Sequence, residues 1–259
     1  MKLEYLYQAI FSWCQMIFNP YWYFQSALTP DECSKIINLG LNNDMKEAVT
    51  HGNNEKSDDK TIAQADTTVE DLQKKEGKNL EEINPYIRDS KVSWLKDQWI
   101  YDRVWPYLNL ANRDAGWKYN FDYAESFQFT TYKDGGFYGW HQDSGTDHHA
   151  TYRRFIPGIS RTKQNGQLEK GYTTADKFIG KVRKLSVTIN LNKPGEYEGG
   201  NLKFDYGPHT PGERYHECTE IRPQGSIIVF PSFMYHQVTP VTKGTRYSLV
   251  LWALGEPFK

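Results

Sequence analysis

Apolar positions recur along this chain at two spacings, and the change between them divides the sequence. In the first part they recur at three and four. Leu3, Leu6, Tyr7, Ile10, Cys14 and Ile17 predict an amphipathic helix over residues 1–18, ended by Pro20, with a short strand over 21–24. Thr29-Pro30-Asp31-Glu32 predicts a helix start, with Thr as N-cap, Pro at the first helical position and acids in the first turn. This helix should run to about Leu39, with Cys33, Ile36, Ile37 and Gly40 on one side. Trp94, Leu95, Gln98, Trp99, Asp102, Trp105 and Leu108 predict a third helix over 93–112, kinked or broken at Pro106. Its tryptophans read as core packing. From Tyr119 the spacing falls to two: Phe121, Tyr123, Glu125, Phe127 and Phe129 alternate with their neighbours. Asp134-Gly135-Gly136 is a turn signal. Further strands are predicted over 185–191, 201–206, 215–221, 226–231 and 246–254, with Gly- and Pro-rich turns among them. Many short strands of this kind predict a β-sandwich or small barrel with flanking helices.

Two stretches have neither period. Residues 42–90 are polar, with the charged run 53–60, and read as a solvated loop with a short helix or as a flap over a groove. His51 within it reads as a solvent-exposed residue. Residues 144–182 form a long basic connection, with Arg153, Arg154, Arg161, Lys163, Lys170, Lys177 and Lys181 against Asp147, Glu169 and Asp176. A connection of that length predicts a lid. His209 and His216 are expected to face solvent.

Composition narrows the class. At 259 residues, 38% hydrophobic and 15% aromatic, the chain can bury one large core. A formal charge of −1 supplies no global field toward nucleic acid or membrane. Cys14, Cys33 and Cys218 are few and scattered, which argues against a disulfide framework and fits a reducing cytosol. Glu4, Gln8, Gln15, Asn19 and Pro20 interrupt the apolar start, so it reads as neither a signal peptide nor a spanning helix. The expectation is a cytoplasmic protein of one domain, with helical support over about 1–118 and a β core over about 119–256.

The candidate chemistry lies in the β part. His141-Gln-Asp143 places an imidazole and a carboxylate two residues apart, on one face if both lie on a strand. One further ligand would complete a 2-His-1-carboxylate triad, and His236 is the candidate. Taken singly, each also fits a bland role: a surface pair, a hydrogen-bonded core histidine. Arg246 interrupts an apolar strand, where a charge needs an anion or a surface position.

The order of Tyr132, His141-x-Asp143, Glu-Gly-Gly-Asn-Leu-Lys-Phe at 198–204, His236 and Arg246 resembles the Fe(II)/2-oxoglutarate dioxygenases, in their prolyl 4-hydroxylase-like branch. Residues 21–33 and 92–99 resemble the opening of these domains, so the similarity spans roughly 21–256. The resemblance implies a double-stranded β-helix. It implies Fe(II) on His141, Asp143 and His236, with 2-oxoglutarate and O2 as cosubstrates and ascorbate as an optional addition. It implies that Arg246 holds the far carboxylate of 2-oxoglutarate, with Ser248, Tyr132 and Ser186 as further cosubstrate contacts. Phe137, Tyr138 and Trp140 would line the pocket. A third imidazole would occupy a position the reaction needs, so His148 and His149 are expected not to be ligands. The implied reaction couples decarboxylation of 2-oxoglutarate to succinate and CO2 with hydroxylation of a substrate C–H bond. A protein or peptide substrate, with proline favoured, heads the expectations. A free amino acid or other small molecule is the alternative, nucleic acid is a more distant one, and a metal-free binding module is a different class altogether.

Overall fold

The computed structural model describes residues 19–48, 88–144, 152–154, 156–157, 160, 172–173, 176–207 and 212–258. The expected helix over 1–18, most of the 42–90 and 144–182 stretches, and His51, His148, His149 and His209 lie outside them.

Eight strands form the frame: β1 (Phe127–Tyr132), β2 (Phe137–His141), β3 (Val182–Asn190), β4 (Leu202–Asp205), β5 (Tyr215–Glu217), β6 (Ile227–Pro231), β7 (Tyr235–Val238) and β8 (Arg246–Gly255). They fall into two antiparallel sheets, one holding β6-β3-β8-β1 and the other β5-β4-β7-β2. The chain passes from β1 in the first sheet to β2 in the second and back to β3, crosses to the consecutive pair β4 and β5, and then alternates again through β6, β7 and β8. Apart from β4 and β5, neighbours in each sheet are therefore distant in sequence, which is the jelly-roll form of a double-stranded β-helix. The strand Trp22–Phe24 extends the larger sheet beside β6. Lys91–Leu95 and then Lys46–Glu47 extend it beside β1.

Alternation gives the larger sheet two unlike faces. Phe127, Phe129, Leu185, Val187, Ile189, Leu249, Leu251 and Ala253 face outward, into one apolar core beneath two helices. The helices α1 (Pro30–Asn42) and α2 (Gln98–Asp114) cover that face with Cys33 and Ile36 from one, and Ile100, Val104, Leu108 and Ala111 from the other. α1 starts with a reciprocal cap: Thr29 Oγ1 accepts from the Glu32 amide at 3.2 Å, and the Glu32 carboxylate accepts from the Thr29 amide at 2.7 Å. The same Glu32 receives Arg103 Nε of α2 at 2.8 Å, which joins the two helices. Gly40 lets α1 sit on the sheet, because a Cβ there would fall inside the Phe129 ring.

The helix expected over 93–112 starts later. Residues 91–95 are a strand, paired residue for residue with Phe127–Thr131, and the helix begins at Gln98. Its buried stripe is Ile100, Val104, Leu108 and Ala111, while Trp99 and Trp105 pack at the margin and Trp94 is 45% exposed. The three-and-four spacing runs across two elements that meet at Lys96-Asp97. The helix continues through Pro106. His216 also departs from expectation. It lies on β5 opposite Phe204, half-buried, with Nε2 2.8 Å from the Tyr21 hydroxyl and its ring between Tyr21 and Tyr206.

Candidate active site

The site lies between the sheets, on the inward face of the larger one. Gln128, Thr130, Tyr132, Ser186, Thr188, Asn190, Arg246, Ser248 and Trp252 are all buried there, on the same strands whose alternate residues form the apolar core. So many polar groups in a protein interior need partners or a purpose.

β2 and β7 bring the histidines together. His141 is paired directly with His236, and their ring centroids are 4.2 Å apart. His141 Nε2 is 3.6 Å from Asp143 Oδ1, and His236 Nε2 is 3.7 Å from Asp143 Oδ2. The three candidate ligand atoms lie within 4.8 Å of one another. Two donors each about 2.1 Å from one ion stand about 3 Å apart at a right angle, so a small closure fits this set to a metal. The ring orientations suit it too. His141 Nδ1 donates to the Gly139 carbonyl at 2.7 Å, and His236 Nδ1 to the Met234 carbonyl at 2.9 Å. Both Nε2 lone pairs are then left for a ligand.

Asp143 does not reach its place by strand alternation. β2 ends at His141, and Asp143 lies in the turn that follows. The Asp143 and Ser144 amides both donate to the Ser232 carbonyl, at 2.9 and 3.0 Å, and Arg183 Nη1 donates to the Asp143 carbonyl at 3.1 Å. A bulge in the β2–β7 pairing puts Tyr138 on the His141 side, stacked on that ring with centroids 3.5 Å apart. Trp140 instead meets the exposed Tyr215, at 5.3 Å.

Burial opposes charge on Asp143, but His236 and His141 hold its carboxyl well below the usual carboxylate range. Burial, helped by His141, pushes His236 down to about 4, so it is neutral at neutral pH and ready to ligate. Burial raises the Tyr138 phenol to about 12, so it stays protonated.

Arg246 is 1% exposed. Nη1 reaches Ser248 Oγ at 3.2 Å, the guanidinium lies 5.2 Å from the Tyr132 ring centroid, and Nε has no partner. Among the described residues no carboxylate pairs with it. Gly200, at φ +57, makes its room: a Cβ there would stand 2.8 Å from Arg246 Cδ. Tyr132 shares a buried cluster with Tyr138, so the path from Arg246 to His141 runs through two stacked or packed rings. Ser186 is inward and fully buried, opposite Phe230 and Trp252, and its hydroxyl meets Ser232 Oγ at 3.0 Å.

Sequence reasoning missed Arg183 and Glu125. Arg183 Nε and Nη2 form a bidentate, part-buried pair with Glu125, at 2.5 and 2.7 Å. Burial opposes the Arg183 charge, and Glu125 overcomes this and raises its affinity for the proton. The strand was expected to start at Leu185, and a bulge between Arg183 and Leu185 turns the arginine inward. The charged residue just before the apolar run was the available signal.

The family model described as the 2OG-Fe(II) oxygenase superfamily matches residues 127–254. Among curated relatives, a PKHD-type hydroxylase of Prochlorococcus marinus is 36% identical over 104 residues, covering 39% of this chain and 43% of that protein. A PKHD-type hydroxylase of Stenotrophomonas maltophilia is 31% identical over 128 residues, covering 48% of this chain and 41% of its own. The chain thus spans less than half the length of the curated relatives it matches. Among solved structures, a viral collagen prolyl hydroxylase from Paramecium Bursaria Chlorella virus-1 aligns with TM-score 0.49 at 16% identity, covering 92% of this chain and 97% of that one. A Pseudomonas putida prolyl-4-hydroxylase aligns with TM-score 0.48 at 18% identity, covering 90% and 91%. The superfamily match runs from the start of β1 nearly to the end of β8 and includes His141, Asp143, His236 and Arg246, so the strand frame and the candidate site within it are what is similar to the 2OG-Fe(II) oxygenase superfamily.

Proposed function

We propose that this chain is an Fe(II)- and 2-oxoglutarate-dependent hydroxylase of a peptidyl residue, with proline the favoured target. The observation that carries the reading is the pairing of two features in one interior. Three metal-type donors converge there, and a buried guanidinium beside them lacks a carboxylate partner among the described residues. Each feature alone has a structural explanation. Together they match a metal and a dicarboxylate bound side by side.

In this reading His141, Asp143 and His236 would hold Fe(II). When bound, iron and 2-oxoglutarate would supply the oxidising chemistry, turning O2, the cosubstrate and a substrate C–H into succinate, CO2 and a C–OH group. The chain's own residues bind, orient and exclude water. The Gly139 and Met234 carbonyls hold the imidazoles in the ligating tautomer. Arg246 pairs through its planar fork with the far carboxylate, with Ser248 and the Tyr132 hydroxyl as neighbouring donors. Tyr138, stacked on His141, closes one wall against water. The curated relatives named PKHD-type hydroxylases support hydroxylation as the outcome. The peptidyl proline target rests on the motif resemblance.

The test is succinate formation from 2-oxoglutarate in air, with Fe(II), across a panel of proline-containing peptides and free amino acids. The expected result is Fe(II)-dependent succinate, stimulated by a peptide that gains one oxygen in mass. Stimulation by a free amino acid alone would move the target to a small molecule. Absence of both Fe(II) binding and succinate would leave a binding module.

A further inference from the structure

The metal-site aspartate is held by its backbone, and the groups that hold it form a connected chain leading away from the site. Arg183 Nη1 donates to the Asp143 carbonyl at 3.1 Å, while the other edge of the same guanidinium is committed to Glu125 at 2.5 and 2.7 Å. The plane of Arg183 lies over Trp252, 4.0 Å from the ring centroid. With both edges and one face engaged, this arginine has no freedom to turn toward a ligand. Glu125 in turn accepts the Tyr152 hydroxyl on Oε1, at 3.2 Å. Tyr152 belongs to the connection that follows Asp143 in sequence. It is anchored by main-chain bonds from its amide to the Lys181 carbonyl, at 3.0 Å, and from the Gly180 amide to its carbonyl, at 2.9 Å.

We propose that Arg183 is a positioning residue for the metal site. The Glu125–Arg183 pair fixes the Asp143 peptide so that its carboxylate faces both imidazoles, and Tyr152 ties the following connection into that pair. The physical case is one of restraint. Asp143 lies in a turn, outside the strand ladder that fixes His141 and His236, so its carboxylate direction depends on its own peptide plane. Ser232 restrains the amide side of that residue and Arg183 the carbonyl side. A neutral donor could also bond the carbonyl. A guanidinium locked by a bidentate carboxylate does so with a fixed geometry. Groups that restrain ligands in this way commonly change metal affinity by about 10- to 100-fold when removed.

This proposal rests on the metal reading above, and the experiment separates the two. Co(II) is titrated into the intact, metal-free protein under nitrogen, by calorimetry and by its visible ligand-field spectrum. Co(II) binding by the wild-type chain tests the metal reading, and failure to bind overturns both. The Arg183→Gln/Glu125→Gln double variant removes the pair without stranding either charge. With its thermal midpoint and circular dichroism retained, it is expected to bind Co(II) about tenfold more weakly and with a shifted spectrum. A folded double variant with wild-type affinity and spectrum reduces the pair to a packing role and overturns the proposal. If the double variant does not fold, Arg183→Lys and Tyr152→Phe carry the test. The lysine, a point donor in place of the fork, is expected to weaken Co(II) binding several-fold. The phenylalanine removes one hydroxyl and is expected to weaken it about threefold. Wild-type affinity and spectrum in both of these overturn it equally.

Discussion

The two faces of the larger sheet are built from alternate residues of the same strands and are equally buried, yet they differ in kind. Outward, Phe127, Phe129, Leu249 and Leu251 meet only apolar partners beneath two helices. Inward, Thr130, Tyr132, Arg246 and Ser248 line a polar interior, and two buried atoms there, Arg246 Nε and Trp252 Nε1, have no hydrogen-bond partner. Burial alone therefore does not say what a residue is for. The outward face carries stability, since apolar burial contributes about 25 cal/mol per Å². The inward face works against it, because desolvated polar groups cost free energy until a ligand meets them. Substitutions one residue apart should consequently affect different measurements.

The largest expected effect is on the inward side of the second sheet. His236→Ala removes one of three converging donors and should abolish Fe(II)-dependent succinate formation, with far-ultraviolet circular dichroism unchanged. Persistent turnover would break the triad assignment. Next comes the outward face. Phe129→Ala should cost about 3–5 kcal/mol of unfolding free energy by denaturant titration. Co(II) affinity of the remaining folded protein should be unchanged. A loss of metal binding matching the loss of stability would mean that the two faces are coupled.

Arg246→Ala should weaken 2-oxoglutarate by about 2–4 kcal/mol, roughly 30- to 1000-fold in apparent KM. Arg246→Lys should retain partial activity, because it keeps the charge and loses the fork. Neither should lower the thermal midpoint of the ligand-free protein in the way Phe129→Ala does. A KM for Arg246→Ala within about twofold of wild type would place the carboxylate elsewhere.

The smallest effect is that of pH on the metal-free protein. His236 is depressed to about 4 in the folded state against 6.5 as its ordinary value, so the unfolded chain takes up the proton first. Its contribution to stability is complete above about 6.5 and is lost as pH falls toward 4. His236→Gln should flatten that part of the stability curve, and an unaltered slope would show that another group dominates it.

The fold class was legible in the sequence, and the ligand candidates could be named from it, because both are spacing signals. Period-two alternation exposed the strands, and a charge at the head of the apolar run 247–254 marked Arg246 as a candidate. The errors fall where spacing is interrupted. The merged helix over 93–112 joined a strand to a helix across two polar residues, since both halves happened to share a period. The bulges at Arg183 and in the β2–β7 pairing shift side chains from one face to the other, and a strict alternation cannot show that. Asp143 was expected on a strand and occupies a turn, so its place beside the two histidines comes from a geometry that alternation does not describe. The Arg183–Glu125 pair joins residues 58 apart, which no local pattern announces.

The buried cysteines have a practical consequence. Cys33 lies under α1 in the outward core, and Cys218 lies in the separate cluster formed with Phe204, Phe230 and Met234. Burial, with Glu32 beside one and Glu220 beside the other, pushes both thiols up to about 12. Neither offers thiolate to an alkylating reagent while its surroundings are closed. In a protein carrying Cys14→Ser, the third cysteine is removed, and the two remaining labelling rates become separate clocks. One times the lifting of α1 from the sheet, and the other times the opening of the β4–β5 edge.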